Sequence, residues 1–130
     1  MKKVVLIPLA LIVCLCLASG AFAVDREGIK KQVDDIVVAI NGGKSPMDFK
    51  SAAKMKPYYV FIMEEGGKLL VHPTLAGKSL KKKAKPVYEQ VIKATPDGVW
   101  VNYMWKGKGK HTYVRKTNSG LIVGSGYSGK

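Results

Sequence analysis

Residues 25–41 alternate apolar and polar positions with the period of a helix. The apolar side chains recur at intervals of four and three residues, and lysines, Gln32 and aspartates occupy the other side. Asp25 can cap the start of this helix, and Gly42-Gly43 is a stop signal. The apolar stripe consists of Ile29, Val33, Ile36, Val37 and Ile40.

A second, shorter helix is predicted from Pro46 to about Met55. Ser45 can cap it, and proline suits the first helical position. The period then changes to two. Tyr59–Met63 reads as a covered strand, Glu64–Gly67 as a turn and Lys68–His72 as the next strand.

An irregular basic loop is expected from Thr74 to Lys85, followed by a short helix that opens at Pro86. The apolar face of that helix would consist of Val87, Val91 and Ile92. The loop carries five lysines within eight residues, and a solvated charged loop is the simplest interpretation of such a run.

Three strand-like segments close the chain, namely Val99–Trp105, His111–Lys116 and Leu121–Tyr127. Gly107 and Gly109 are expected to end the first strand and to separate it from the second. The short connections favour antiparallel pairing. The sequence therefore predicts an α+β domain, with one antiparallel sheet and helices packed against it.

The first 23 residues have the layout of a cleaved secretory signal peptide. Lys2 and Lys3 precede an apolar run, and Ala21-Phe22-Ala23 is a small-x-small cleavage site. Residues 24–130 would then form a single domain without cysteine in the periplasm or outside the cell. Without Lys2 and Lys3, the 22 basic residues fall to 20 against 9 acidic ones, a net charge of about +11. Such an excess attracts anions of any size.

The same residues argue against an enzyme and against a cofactor. The mature chain has two histidines and no cysteine, so neither a clustered zinc site nor haem attachment is predicted. Nucleotide-binding glycine motifs and a nucleophile elbow are missing from the sequence.

The polar groups that remain suggest a binding site for a small carboxylate. Tyr103 and Trp105 share a strand face, Lys110 and Tyr113 come from the next strand, and His72 ends an earlier one. Together they offer donors beside an aromatic wall. The alternative is that the aromatic residues belong to the core and Lys110 is solvated. Lys110 and Tyr113 are three apart, so both reach one pocket only if Lys110 precedes the regular strand or a bulge intervenes.

Residues 59–127 resemble the single Cache domain, type 2, an extracytoplasmic sensor module. The resemblance runs through "LLVHP", "LAGKSL", "GVWVNYMW", "KHTYV" and "GLIVGSGY", in the family's order. It implies a PAS-like fold with a long N-terminal helix, one or two shorter helices and a five-stranded antiparallel sheet. It also implies that the chain binds small organic acids without catalysis. The family's motifs fall on His72-Pro73, on Tyr103 and Trp105, and on Lys110 and Tyr113.

The resemblance further suggests an exported, stand-alone module that acts through a membrane-bound sensor kinase or chemoreceptor. A homodimer through the N-terminal helix is a second possibility, and nucleic acid is not an expected partner. The alternative function is that of a basic adaptor for an anionic polymer or surface. Its support is the lysine run Lys78, Lys81, Lys82, Lys83 and Lys85.

Overall fold

The computed structural model describes residues 24–129 and contains one antiparallel sheet of five strands in the order β2-β1-β5-β4-β3. The predicted signal peptide lies outside the described residues. The helices are α1 (Arg26–Asn41), a 3-10 helix (Pro46–Lys54), α2 (Leu80–Lys83) and α3 (Lys85–Val91). The strands are β1 (Val60–Met63), β2 (Leu69–Val71), β3 (Val99–Trp105), β4 (Lys108–Lys116) and β5 (Ile122–Ser128). None of the helices between residues 24 and 129 is long and apolar enough to cross a membrane.

Helix α1 forms as the hydrophobic period predicts. The side chain of Asp25 accepts a hydrogen bond from the backbone N–H of Gly28, which satisfies one of the free donors at the helix start. All five residues of the predicted apolar stripe are buried, and they pack against the chain's own sheet. The stripe is therefore not free for pairing with the same stripe of a second copy.

The sheet has two covered faces, and the strand pleat decides which side chain points to which. On one face, here called the helix face, β1 and β5 pack against α1 and the 3-10 helix through residues such as Val60, Ile62 and Val123. On the other, here called the cavity face, Phe61, Met63 and Ile122 pack with α2 and α3. Two covered faces explain why β1 is apolar at every position and buried throughout.

Two parts of the predicted secondary structure were wrong. The segment 74–85 is not wholly irregular, because Ser79 caps the single helical turn α2 and its hydroxyl accepts from the N–H of Lys82. In α3 the buried face uses Tyr88 rather than Ile92, which follows the helix and is 39% exposed. The Tyr88 hydroxyl donates to the backbone oxygen of Glu65 at 2.7 Å, which ties α3 to the β1–β2 turn.

The glycines of β5 allow two close approaches across the sheet. Gly124 lies opposite Phe61, and a Cβ atom added at Gly124 would collide with the Phe61 ring. A Cβ at Gly126 would collide with the backbone oxygen of His111 and with Thr112. Glycine at these two positions therefore allows contacts that a Cβ atom would block.

We expect Gly124→Ala to destabilise the protein by about 2 kcal/mol, because the ring of Phe61 must leave a packed core to admit the methyl group. Urea unfolding followed by circular dichroism measures the change. Gly109→Ala is the matched control, since Gly109 also lies in a strand and nothing is within 4 Å of its added Cβ. Equal stabilities of the two variants would contradict this account.

Candidate functional site

A small cavity lies on the cavity face, between the sheet and the segment that runs from β2 to α3. Its volume is about 10 Å³ for the centre of a water-sized sphere, which is room for one water-sized group. Aromatic side chains form one side of it and aliphatic ones the other. The lining residues are Tyr59, Phe61, Leu69, His72, Leu80, Val87, Val91, Tyr103 and Trp105.

Strand β3 contributes two walls of the cavity because Tyr103 and Trp105 are two residues apart in a regular strand. The Tyr103 hydroxyl accepts a hydrogen bond from Thr112 Oγ1 of the neighbouring strand at 2.9 Å. Burial raises the pKa of Tyr103 to about 12, so this group remains a phenol at any physiological pH. Its own hydroxyl proton remains available for a second hydrogen bond.

His72 follows β2 and stands edge-on between two aromatic rings. Its ring centroid is 5.7 Å from that of Tyr59 and 6.2 Å from that of Trp105. Nδ1 accepts hydrogen bonds from the backbone N–H groups of Thr74 and Leu75, at 3.1 and 2.9 Å. Because Nδ1 is an acceptor, the neutral ring carries its proton on Nε2. Burial, with the positive charges of Lys110 and Lys106, lowers the pKa of His72 to about 4.

Lys110 is a buried cation that lies directly behind Tyr59. It pairs with Tyr103 in the β3–β4 ladder and therefore points to the cavity face, with a relative exposure of only 7%. Its Nζ donates to the Tyr59 hydroxyl at 2.9 Å and lies 4.3 Å from the centroid of the same ring. Between residues 24 and 129, no carboxylate forms a salt bridge with Lys110. Burial, with the charge of Lys106, lowers the pKa of Lys110 to about 8.

Tyr113 is not brought together with the other four predicted site residues. Gly109 does not break the strand: β4 begins at Lys108 and pairs regularly with β3, so Lys110 is already inside it. Two residues three apart in a regular strand point to opposite faces, which places Tyr113 on the helix face. The expectation that Lys110 and Tyr113 reach one pocket is therefore wrong.

On the helix face, Tyr113 belongs to a hydrogen-bond network around Asp34 of α1. Its hydroxyl lies 3.0 Å from Asp34 Oδ1 and 3.1 Å from the backbone oxygen of Asp97. Arg115 and Lys30 bind the same carboxylate. Burial acts to raise the pKa of Asp34, but the hydrogen bonds from these three side chains outweigh it and leave that pKa lowered.

Tyr59 is the residue of the cavity that the sequence did not suggest, since it was assigned to the core. The structure gives it three contacts at once: it lines the cavity, accepts from Lys110 and stands beside His72. The strand period could have suggested it. Tyr59 points to the same face as Phe61 and Met63, and it lies at the end of the strand, where a hydroxyl can reach a polar partner.

No group of three or more His, Cys, Asp or Glu side chains between residues 24 and 129 could hold a metal ion. Every buried side-chain nitrogen or oxygen among these residues has a hydrogen-bond partner.

Comparisons with known proteins give likenesses of structure only. No protein-family model matches the chain, and no curated protein matches it. A methyl-accepting chemotaxis protein from Vibrio parahaemolyticus RIMD 2210633 is similar with a TM-score of 0.55 and 14% identity, over 78% of this chain and 84% of that one. The ligand-binding domain of Mlp24 with asparagine has a TM-score of 0.45 and 12% identity, over 65% and 35%. A Cache chemosensory domain, solved to explain carboxylic acid recognition, has a TM-score of 0.39 and 20% identity, over 88% and 80%.

The predicted fold is confirmed by the strand order, the antiparallel pairing and the likeness to the chemotaxis protein. It is an α+β fold of the PAS-like Cache type, and the resemblance seen in the sequence is confirmed at the level of fold. At 14% identity, this likeness concerns the fold alone.

We expect acid to destabilise the protein through His72. The unfolded chain binds a proton at this side chain near pH 6.5, but the folded chain binds it only near pH 4. Stability is therefore complete above pH 6.5 and falls as the pH drops from 6.5 to 4, by about 2 kcal/mol after allowance for partial exposure. Urea unfolding at pH 7 and pH 4.5 measures the loss.

His72→Gln should remove most of this pH dependence. His111→Gln is the control, because it deletes the other histidine and leaves His72 in place. An equal loss of stability in the original protein and in His72→Gln would contradict the assignment.

Proposed function

We propose that this chain is a sensory module that binds a short organic acid outside the cytoplasm and does not transform it. The observation that carries the proposal is the buried ammonium of Lys110, which has a phenol as its partner and no carboxylate among the described residues. A buried charge without a counter-charge is costly to maintain, and an anion that reaches it recovers part of that cost.

The neighbouring groups suit the two oxygens of a carboxylate. Lys110 and the hydroxyl of Tyr59 can both donate, and neither donates to a carboxylate within residues 24–129. Nε2–H of His72 and the hydroxyl of Tyr103 are further donors on the same face. Charge-assisted hydrogen bonds of this kind are about twice as strong as neutral ones.

The size of the cavity supports a small ligand. Room for one water-sized group does not hold a whole carboxylate, so an aromatic wall must move for any acid to enter, and the shortest acids require the smallest movement. Phe61, Trp105 and the leucines of the lining offer apolar contact for the carbon chain of such an acid. We therefore propose an acid of two to four carbons as the ligand.

Binding rather than catalysis agrees with the groups present. His72 is neutral and uses one ring nitrogen to hold the backbone, and both cavity phenols keep their protons because burial raises their pKa. Lys110, with its pKa lowered to about 8, is the one group of the site that titrates near neutral pH, and the neutral His72 and the two phenols give it no second such group with which to form an acid–base pair. The proposed output passes to a membrane-bound sensor kinase or chemoreceptor, from a periplasmic or secreted location.

We expect acetate, propionate, malonate or succinate to raise the melting temperature, and Lys110→Met to reduce the rise by half or more. At a ligand concentration of about 100 times Kd, the added stability is about 2.7 kcal/mol. Lys110→Met removes the charge and keeps the alkyl chain, so we expect affinity to fall about 10- to 100-fold. Differential scanning fluorimetry across the acid series measures the effect.

Lys108→Met is the matched control because Lys108 lies two residues earlier in β4, on the same face, and is exposed. It should respond to the acid like the original protein. If none of the acids stabilises the folded protein, or if both lysine variants lose the response equally, the proposal is wrong.

The alternative function, an adaptor for an anionic polymer or surface, has one structural observation in its favour. Helix α2 holds three consecutive lysines, Lys81 to Lys83, in an ordered and exposed turn. No acidic residue within residues 24–129 forms a salt bridge with any of them. Such a turn presents its charges without the entropic cost of ordering a flexible loop on binding.

If this alternative holds, replacing Lys81, Lys82 and Lys83 with glutamine will lower the salt concentration at which the protein leaves a heparin column. Replacing Lys44, Lys50 and Lys54 with glutamine removes the same charge from elsewhere on the surface. The two triple variants should then differ. Equal elution would show that net charge alone sets retention, and it would exclude a specific role for α2.

A further inference from the structure

Strand β3 forms an open edge of the sheet. It pairs with β4 along its whole length, and no backbone group of residues 99–105 bonds to any other part of the chain between residues 24 and 129. The opposite edge is different. Strand β2 is short, and the backbone around Lys78 covers it, with Leu69 N–H donating to Lys78 O at 2.8 Å and Leu80 N–H donating to Gly67 O at 2.7 Å.

The open edge lacks the features by which proteins keep edge strands from pairing. Its sequence, VWVNYMW, has no charge, proline or glycine in a chain with a net charge of +13. Its pairing with β4 is free of bulges. Met104 is 63% exposed, and Asn102 is exposed beside it. An uncharged, regular edge of this length is a template for another strand.

We propose that β3 pairs antiparallel with β3 of a second copy of this chain, which joins the two five-stranded sheets into one across a two-fold axis. Each copy supplies the same unpaired row of N–H and C=O groups, so the contact is self-complementary and closes as a dimer.

Strand geometry selects the register of this pair. Opposed residues of an antiparallel pair must point to the same face. The two-fold axis must therefore lie midway between the two copies of one residue, which oppose each other. The register that uses all of β3 places Asn102 opposite Asn102 of the second copy. The flanking opposed pairs are then Val101 with Tyr103, Trp100 with Met104, and Val99 with Trp105. Each combines an aromatic ring with an aliphatic or thioether side chain, a favourable cross-strand contact.

The charges at the two ends of β3 favour a second copy over an unrelated peptide. Asp97 precedes the strand and Lys106 follows it; both are exposed, and neither forms a salt bridge with another described residue. In the register centred on Asn102, Asp97 of each copy lies opposite Gly107 of the other, one position from Lys106. The uncharged strand is thus bracketed by two opposite-charge pairs that form only between antiparallel copies.

Sedimentation velocity of the protein, expressed from its full sequence and purified as processed, tests the proposal at about 0.15 M salt, where charges within roughly 8 Å still interact. We expect a reversible monomer–dimer equilibrium between about 1 and 100 µM. Lys106→Asp should weaken the dimer about 10-fold, although it lowers the net charge and so reduces general repulsion. Asp97→Lys should weaken it similarly, and the double variant Asp97→Lys/Lys106→Asp should restore it.

Met104→Lys provides a test within the strand, since it places a positive charge on the pairing edge, near the Arg26 guanidinium that lies over Trp100 of the second copy, and should weaken the dimer at least 10-fold. Met47→Lys is the matched control, because Met47 is an exposed methionine of the 3-10 helix. Thermal unfolding shows whether each variant remains folded. The exchanges at Asp97 and Lys106 lie outside β3, so they test the pairing without changing the strand itself.

Three results would overturn the proposal. The first is a monomer at every concentration up to about 100 µM. The second is a dimer that both Lys106→Asp and Met104→Lys leave unchanged. The third is a dimer that Val38→Lys, at a 63% exposed position of α1, disrupts while Met104→Lys does not.

Discussion

The pleat of β4 is the constraint on which both faces of the molecule depend. This strand lies between β3 and β5, and its residues 110–114 are paired on both sides, so none of those side chains can change face without breaking two ladders. Lys110 and Thr112 are thereby fixed on the cavity face, and Tyr113 and Arg115 on the helix face. The candidate site and a structural network thus use neighbouring residues of one strand, and they are separated by the thickness of the sheet.

The two faces differ in how the protein neutralises a charged side chain, which is partly exposed on the helix face and buried on the cavity face. On the helix face, the carboxylate of Asp34 receives hydrogen bonds from Lys30, Tyr113 and Arg115, which satisfy it. On the cavity face, the ammonium of Lys110 has one neutral phenol. The first arrangement stabilises the packing of α1 on the sheet and needs nothing further. In the second, no described carboxylate neutralises the ammonium. Its burial, with the charge of Lys106, lowers its pKa to about 8.

Most of the fold was predictable from the sequence because the spacing of apolar residues indicates both the type of each element and its buried side. The stripe from Ile29 to Ile40 predicted α1 and its buried side, and the alternation in Val99–Trp105 predicted which side chains share a face. It failed where long-range contacts decide the structure. Helix α2 depends on a cap from Ser79 and on the bond from Leu80 N–H to Gly67 O, neither of which leaves a periodic trace.

The candidate site was predicted less completely, for a reason that a single residue explains. Gly109 was interpreted as a break in the chain, but a glycine at an open position of a hairpin can stay in the ladder, and Gly109 pairs with Met104. Because β4 begins at Lys108, Lys110 is inside the ladder, and Tyr113, three residues later, points to the opposite face. His72, Tyr103 and Trp105 do line one cavity, and Lys110 is linked to it through Tyr59.

Strand β3 connects the cavity with the edge of the sheet. Its inward-facing side chains Tyr103 and Trp105 are walls of the cavity, and its outer backbone has no partner among the described residues. Because only β4 holds it in the sheet, the backbone of β3 is less restrained than that of β1, β5 or β4, which each lie between two neighbouring strands. A partner strand on the edge would restrain the two aromatic walls, and a ligand that displaced those walls would act on the edge. If an anion binds beside Lys110 and a second copy pairs with β3, as proposed, the backbone of this one strand would connect the two events.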